Sequence, residues 1–314
     1  MAQKNLKAEI EQLSKTMYTE FAHDNYEALL PTVAKLKEAC LQAGDYKMFY
    51  KAWTNEIIKT KVHEGRPEAL KKIREMHDYA LEHDHKYGLY AATYSTAYIL
   101  HQINDMAGAM ENYLNAADYL KHYFPEESVA PIYVSLSSIT LAQKKDSAAI
   151  RYAQMALDDP NVTNMHRYLA KACICIAWGW LGNREKFDEN YEKLKAVKGV
   201  NTDANREQTI EIFRAHLHGE DQEAIRLAHQ FKNKQNRLLY IYKTNEWAGD
   251  FKNTFYAYKD YNHFMDSVNN RDLREQAKFY QTELNVVRSE NESKDLRLTN
   301  KRLLLEHMEN ELEN

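Results

Sequence analysis

Apolar and small residues recur along most of this chain at the spacing of one helix face, and short polar breaks interrupt them. The clearest breaks place a glycine before polar residues, in segments 180–187, 218–225 and 247–251. After Gly219 the helical spacing resumes five positions on, with Ala224, Ala228 and Phe231. Each break is therefore predicted to be a short turn between two helices.

The breaks return at a nearly constant distance. Counted from Gly65 through Asn104, Lys144, Gly182, Gly219 and Gly249, the intervals are 39, 40, 38, 37 and 30 residues. That is the length of a repeating two-helix unit. Because each helix pair leaves an apolar face that only a neighbouring pair can bury, we expect about seven stacked pairs over residues 1–266.

The last segment, residues 267–314, has a different pattern that predicts one long helix. No Gly or Pro follows Gly249, and apolar residues alternate at spacings of four and three. One core position of a coiled coil is then shared by Leu284, Asn291, Leu298, Leu305 and Leu312. A lone Asn in such a row favours a parallel dimer in a single register. We expect a homodimer through this helix or, as the alternative up to about Val287, a helix that caps the last repeat.

Composition supports an all-α fold and narrows the range of partners. Only 9 of the 314 residues are Gly and 5 are Pro, too few for the turns of a β-sandwich, a barrel or a doubly wound sheet. The net charge of −4 argues against a nucleic-acid partner, because such proteins usually carry a basic face. No run approaches the roughly 20 apolar residues of a membrane span. Cys40, Cys173 and Cys175 are expected to be buried small apolar residues.

The sequence contains no recognisable set of catalytic or metal-binding residues. It lacks a Gly-rich phosphate loop, a His-Glu-x-x-His segment and a Gly-x-Ser-x-Gly segment. His83 and His85, like His216 and His218, stand two residues apart near predicted turns, a spacing that does not converge on a metal ion. We expect no catalytic residue, no metal and no cofactor.

The 22 tyrosines instead suggest a binding surface. Most should wedge between helices. The first helices of stacked pairs, however, line a groove that suits an extended peptide or a partner helix. Arg206 and Lys243 would hold a carboxylate of this peptide or protein ligand. The helix phase places six side chains in the groove: Tyr94, Tyr98, His101, Arg206, Phe213 and Lys243.

The repeated unit resembles the tetratricopeptide repeat. That family places Trp or Tyr early in the first helix, Gly with Asp or Asn at the turn, and Ala and an aromatic residue along the second helix. The matching residues are Trp53, Ala97, Tyr133, Ala149, Gly182, Tyr191, Ala224 and Tyr258. The resemblance implies a right-handed α-solenoid of tetratricopeptide-like pairs, followed by the long C-terminal helix or coiled coil.

The whole arrangement resembles, more narrowly, the sensor regions of bacterial membrane-bound two-component histidine kinases and related membrane-bound regulators. The resemblance rests on divergent repeats rich in Tyr and Ala that lead into the charged helix at residues 290–306. It implies a non-catalytic periplasmic sensor region that binds its ligand in the groove, transmits through the C-terminal helix and continues into a membrane span. The alternative is a cytoplasmic scaffold or peptide-responsive regulator of the same fold that mediates protein–protein interaction.

Overall fold

A computed structural model describes the backbone of residues 2–312 and the side chains of residues 5–285, 287–289 and 293–303. Within residues 2–312 the chain forms helices and no strand. The helices are α1 (Ala2–Ala22), α2 (Tyr26–Ala43), α3 (Tyr46–His63), α4 (Arg66–Glu82), α5 (Lys86–Gln102), α6 (Met106–Tyr123), α7 (Ala130–Ala142), α8 (Asp146–Leu157), α9 (Asn164–Trp180), α10 (Arg184–Lys195), α11 (Ala204–Leu217), α12 (Asp221–His229), α13 (Lys234–Trp247) and α14 (Phe251–Leu312).

Consecutive helices pack against each other along the whole array. Each odd-numbered helix packs against the even-numbered helix that follows it, and the two form a pair. The first helices of several neighbouring pairs also contact each other; examples are α7 with α9 and α9 with α11. The result is an all-α solenoid of helix pairs, which confirms the predicted fold class.

The turns within five of the pairs share one backbone conformation. Gly182, Gly219 and Gly249 have φ of 67°, 79° and 72°, the left-handed region that glycine enters without a steric penalty. Asn104 and Lys144 occupy the same position of their turns with φ of 62° and 59°. In these five pairs the left-handed residue follows the first helix, so these breaks in the sequence mark true helix ends.

Small side chains line the contacts between paired helices. The alanines at these positions are fully buried: Ala109, Ala116, Ala149, Ala153, Ala156, Ala224 and Ala228. The three cysteines are also fully buried, as predicted, and burial raises the pKa of Cys40 and of Cys175 to about 12. The core forms two clusters, one from α1 to α9 that also includes Phe279 of α14 and the other from α9 to α13, and α9 contributes residues to each.

One helix contact depends on a glycine. Helix α11 packs directly on α9. A Cβ atom at Gly179 of α9 would lie 2.4 Å from the ring of Phe213 in α11. The missing side chain at Gly179 therefore sets how closely the two helices approach.

We expect Gly179→Ala to destabilise the protein. At a solvent-exposed position in a helix interior, Gly→Ala usually has the opposite effect and stabilises the helix by about 1 kcal/mol. The Phe213 ring must shift to admit the methyl group, so the free energy of unfolding should fall by about 1–3 kcal/mol. Urea denaturation measures the change. The double substitution Gly179→Ala with Phe213→Leu should recover part of the loss, and a more stable single variant would contradict the contact.

The long C-terminal helix begins earlier than the sequence pattern indicated. We expected it from Ser267, but α14 runs without interruption from Phe251 to Leu312 and also serves as the second helix of the seventh pair. The reason is the absence of any Gly or Pro after Gly249 to end a helix. Its first part packs on α13, and residues 275–283 return to α4.

Candidate functional site

A pocket of about 290 Å³ opens where the ends of α7, α9, α11 and α13 approach one another. Its walls are largely apolar and include Ile176, Trp180, Leu239 and Tyr240. Polar and charged side chains stand among them: Ser138, Lys144, Asp203, Asn205, Arg206, Thr209 and Asn236. The pocket thus combines an aromatic surface with cationic groups, and four consecutive helix pairs contribute to it.

Trp180 is held in place by other aromatic rings. Its ring centroid lies 4.9 Å from that of Phe213 and 6.0 Å from that of Tyr240, and Trp247 stands 6.1 Å away. Such edge and offset contacts stabilise aromatic clusters beyond the area they bury. The indole is therefore a rigid wall of the pocket.

Lys144 lies over this wall. The left-handed turn after α7 carries it, and its Nζ stands 3.4 Å from the centroid of the Trp180 ring, a close cation–π contact. The residue remains exposed, yet the protein around its ammonium group displaces enough water to lower its pKa to about 8. Asp146 opposes this shift in pKa and the positive charge of Lys243 adds to it.

Among the side chains that the structure describes, no carboxylate oxygen lies within 4 Å of the Lys144 Nζ. The Arg206 guanidinium, by contrast, is half-buried, lies 3.8 Å from Asp203 and donates a hydrogen bond of 3.3 Å to the Cys173 sulfur. Lys243 pairs with Glu246 at 2.8 Å. Lys144 is thus the cation of this cluster whose main partner is an aromatic ring, which leaves its charge available to an anionic ligand.

The structure brings together part of the predicted groove. Arg206 on α11 lines the pocket, and Lys243 on α13 is close enough to act on the pKa of Lys144. The two residues belong to consecutive helix pairs, as the repeat count predicted.

Phe213 does not belong to the groove. Its side chain is fully buried, with 0% of its surface exposed, beneath Gly179 and between Trp180 and Trp247. The assignment was wrong because α11 turns this position toward α9, where a glycine leaves room for an aromatic ring. Gly179 stands between Trp178 and Trp180 in the sequence, and this small residue among large ones is the signal from which the contact could have been inferred.

Tyr94, Tyr98 and His101 form a separate group on α5, outside the residues that line the pocket. All three are half-buried. Tyr94 and His101 pack edge-on against Tyr113 at 5.7 Å and 6.4 Å, and the Lys61 ammonium lies 5.8 Å from the Tyr98 ring. Burial raises the pKa of both tyrosines and lowers that of His101. Their part in ligand binding remains a prediction.

Sequence reasoning missed Lys144, Trp180 and Tyr240 as pocket residues. Lys144 and Trp180 stand at the breaks between helices, which had been interpreted only as turns. A lysine in a left-handed turn position that glycine usually occupies was the available signal, because it places a long cationic side chain at a fixed point.

The predicted seam of the C-terminal helix is exposed where its side chains are described. Leu284 and Leu298 have 47% and 66% of their surface exposed. The side chains of Asn291, Leu305 and Leu312 lie outside the described residues. The seam therefore has no partner within the described part of this chain, and pairing with a second copy remains a prediction.

The described residues hold no group of three or more His, Cys, Asp or Glu that would ligate a metal ion. His85 instead lies 3.0 Å from the Tyr50 hydroxyl, and His216 and His218 pair with Asp221 and Asp188. None of the helices in the described range has the length and apolar content of a membrane-spanning segment.

No protein-family model matches the chain, and no curated protein matches it. Among solved structures, the chain is similar to the crystal structure of BtubC (BKLC) from P. vanneervenii, with 14% sequence identity over 85% of this chain and 91% of that chain, at a TM-score of 0.27. A structural similarity this low carries no argument about function.

Proposed function

We propose that this chain is a non-catalytic ligand-binding region that accepts a peptide or protein segment at the pocket beside Trp180. The observation that carries the proposal is the Lys144 ammonium over the Trp180 ring, without a carboxylate partner within 4 Å among the described side chains. Together with Arg206, it offers two cations beside an apolar wall. This chemistry fits a segment with an acidic group next to an aromatic or aliphatic side chain.

The position of the pocket supports a role in signalling. Leu239, Tyr240 and Asn236 belong to α13, which packs along the start of α14. Also on α13, the Tyr242 ring contacts the rings of Tyr258 and Tyr261 of α14, with centroid distances of 5.1 Å and 6.1 Å. A ligand that moves α13 would therefore move the root of the long helix, which gives binding a direct route to whatever α14 contacts.

Within this proposal, the chain serves as the periplasmic sensor region of a membrane-bound two-component histidine kinase or related regulator, with α14 as the transmitting element. The alternative is a cytoplasmic scaffold in which α14 only joins two copies. Ligand binding that changes the tilt or separation of paired α14 helices, measured between spin labels on α14, favours the sensor. Binding without such a change favours the scaffold.

The binding test uses a displayed library of random peptides selected on the full chain. We expect selected peptides to carry Asp or Glu beside an apolar residue, and Lys144→Met to weaken their binding roughly 10- to 100-fold, as loss of a hydrogen bond to a charged group does. Lys145→Met is the matched control, since it removes an exposed neighbouring lysine that does not line the pocket.

The same peptides should bind less tightly as the pH rises. The pKa of Lys144 is about 8, so its charge is present at pH 7 and largely lost by pH 9.5, whereas Arg206 stays charged. Isothermal titration calorimetry should show this loss of affinity for the wild type and a much flatter profile for Lys144→Met. Equal pH dependence of the two proteins, or binding unaffected by Lys144→Met, would exclude the pocket as the ligand site.

A further inference from the structure

Residues 275–283 of α14 lie in a groove formed by α4, α5 and α6, which shares no lining residue with the pocket beside Trp180. The ring of Phe279 enters the groove and is 6% exposed. A cavity of about 430 Å³ lies beside the ring and is lined, with Phe279 itself, by Leu70 and Ile73 of α4 and by Thr93 and Thr96 of α5. The ring therefore does not fill the groove that receives it.

Two ion pairs flank this aromatic contact in matching register. Glu275 pairs with Arg66, and Glu283 pairs with Arg74 at 2.9 Å. The two arginines are eight residues apart on α4, and so are the two glutamates on α14. Eight residues rise about 12 Å on any α-helix. The two helices therefore run in the same direction here and present complementary charges at equal spacing.

Two hydrogen bonds tie α14 to the turn between α5 and α6. The Gln276 side-chain amide donates to the Ile103 carbonyl at 3.2 Å, and the Tyr280 hydroxyl donates to Asp105. The other carboxylate oxygen of Asp105 accepts a hydrogen bond from the Gly108 amide as the N-cap of α6. Helix α14 thus contacts the turn within the α5–α6 pair as well as the helix surfaces that line the groove.

The groove faces away from the predicted ligand surface of α5. Ala92 and Thr96 line the groove. Tyr94 follows Ala92 by two residues and Tyr98 follows Thr96 by two, so each tyrosine points about 200° around the helix axis from the groove residue before it. This groove is therefore a different surface from the ligand groove that the sequence predicted.

We propose that this groove is a docking surface for a helix that carries an acidic, an aromatic and an acidic residue at positions i, i+4 and i+8. Glu275, Phe279 and Glu283 of α14 occupy it in cis, and a partner helix with the same stripe displaces them. Partly exposed ion pairs each contribute little to stability, and the single aromatic ring leaves much of the groove unfilled. Both features suit an occupant that exchanges. The proposal does not depend on the pocket beside Trp180.

The test measures the distance between α14 and α4 in the full chain. Lys71 and Gln281 are exposed and would be replaced by Cys for spin labelling, while the three natural cysteines are fully buried. We expect one narrow, short distance in the wild-type background. Glu275→Arg with Glu283→Arg should produce a long, broad distribution, because each new arginine faces Arg66 or Arg74.

The matched control is Asp266→Arg with Asp295→Arg, which makes the same change in net charge at exposed positions of α14 outside the groove. It should keep the short distance. Thermal unfolding followed by circular dichroism checks that the array remains folded in both variants. A short distance that persists in Glu275→Arg with Glu283→Arg, or is lost equally in the control, would overturn the proposed contacts.

The displacement step uses a peptide with the sequence of residues 269–288 as the partner helix. It should bind the opened variant and, at higher concentration, convert the wild type to the long distance. The same peptide with Phe279→Ala should need at least a 10-fold higher concentration to convert the wild type to the long distance. Failure of the peptide to bind the opened variant refutes the docking surface. Loss of the short distance on dilution with unlabelled protein would show that a second copy supplies the helix, and would refute occupation in cis.

Discussion

Replacing Phe213 with alanine is expected to lower the free energy of unfolding by about 3–5 kcal/mol. The ring is fully buried and packs between Trp180 and Trp247 beneath Gly179. Its removal leaves a cavity among rigid aromatic neighbours that cannot close in, because each is held by further rings. Urea denaturation followed by circular dichroism measures the loss.

Phe255→Ala is the matched control for this prediction. It removes the same side chain, but 63% of Phe255 is exposed, so the change in free energy of unfolding should stay within about 0.5 kcal/mol. A loss below about 1 kcal/mol for Phe213→Ala would mean that the ring is accessible in solution. That result would restore the groove position that the sequence pattern predicted for it.

Replacing both Leu284 and Leu298 with aspartate is expected to convert a dimer of this chain into a monomer and so halve its mass. The two leucines stand 14 residues apart, two heptads of the predicted seam, and both are exposed. In a parallel dimer, the two new aspartates of each helix would face the same two aspartates of the other helix. Burial of these unpaired carboxylates opposes association. Multi-angle light scattering at several concentrations measures the mass.

The control for dimerisation uses the same helix. Leu296 and Leu303 are equally exposed, but they lie roughly 140° to 200° around the helix from Leu298. Leu296→Asp with Leu303→Asp should therefore leave the dimer intact. Dissociation by this control pair, rather than by the seam pair, would place the interface on the opposite face, and a wild-type monomer at high concentration would exclude pairing through α14.

The candidate pocket could be predicted only in part. Arg206 and Lys243 were recognisable because the repeat count places them on equivalent helices of consecutive pairs. Phe213 was misplaced, since one helix phase error turns a groove position into a core position. Lys144 was missed because its position depends on a turn, and the direction of a side chain there follows from backbone angles that no helical periodicity reveals.

The sequence by itself determined the local architecture: the helix pairs, the left-handed turns that close them and the small residues buried between them. These features depend on contacts within one repeat, so a few residues at fixed spacing specify them. Only the tertiary structure decided which residues meet across repeats. The Arg66–Glu275 and Arg74–Glu283 pairs join residues 209 positions apart, and their meeting depends on the small rotations between neighbouring pairs, summed along the array, which no local pattern records.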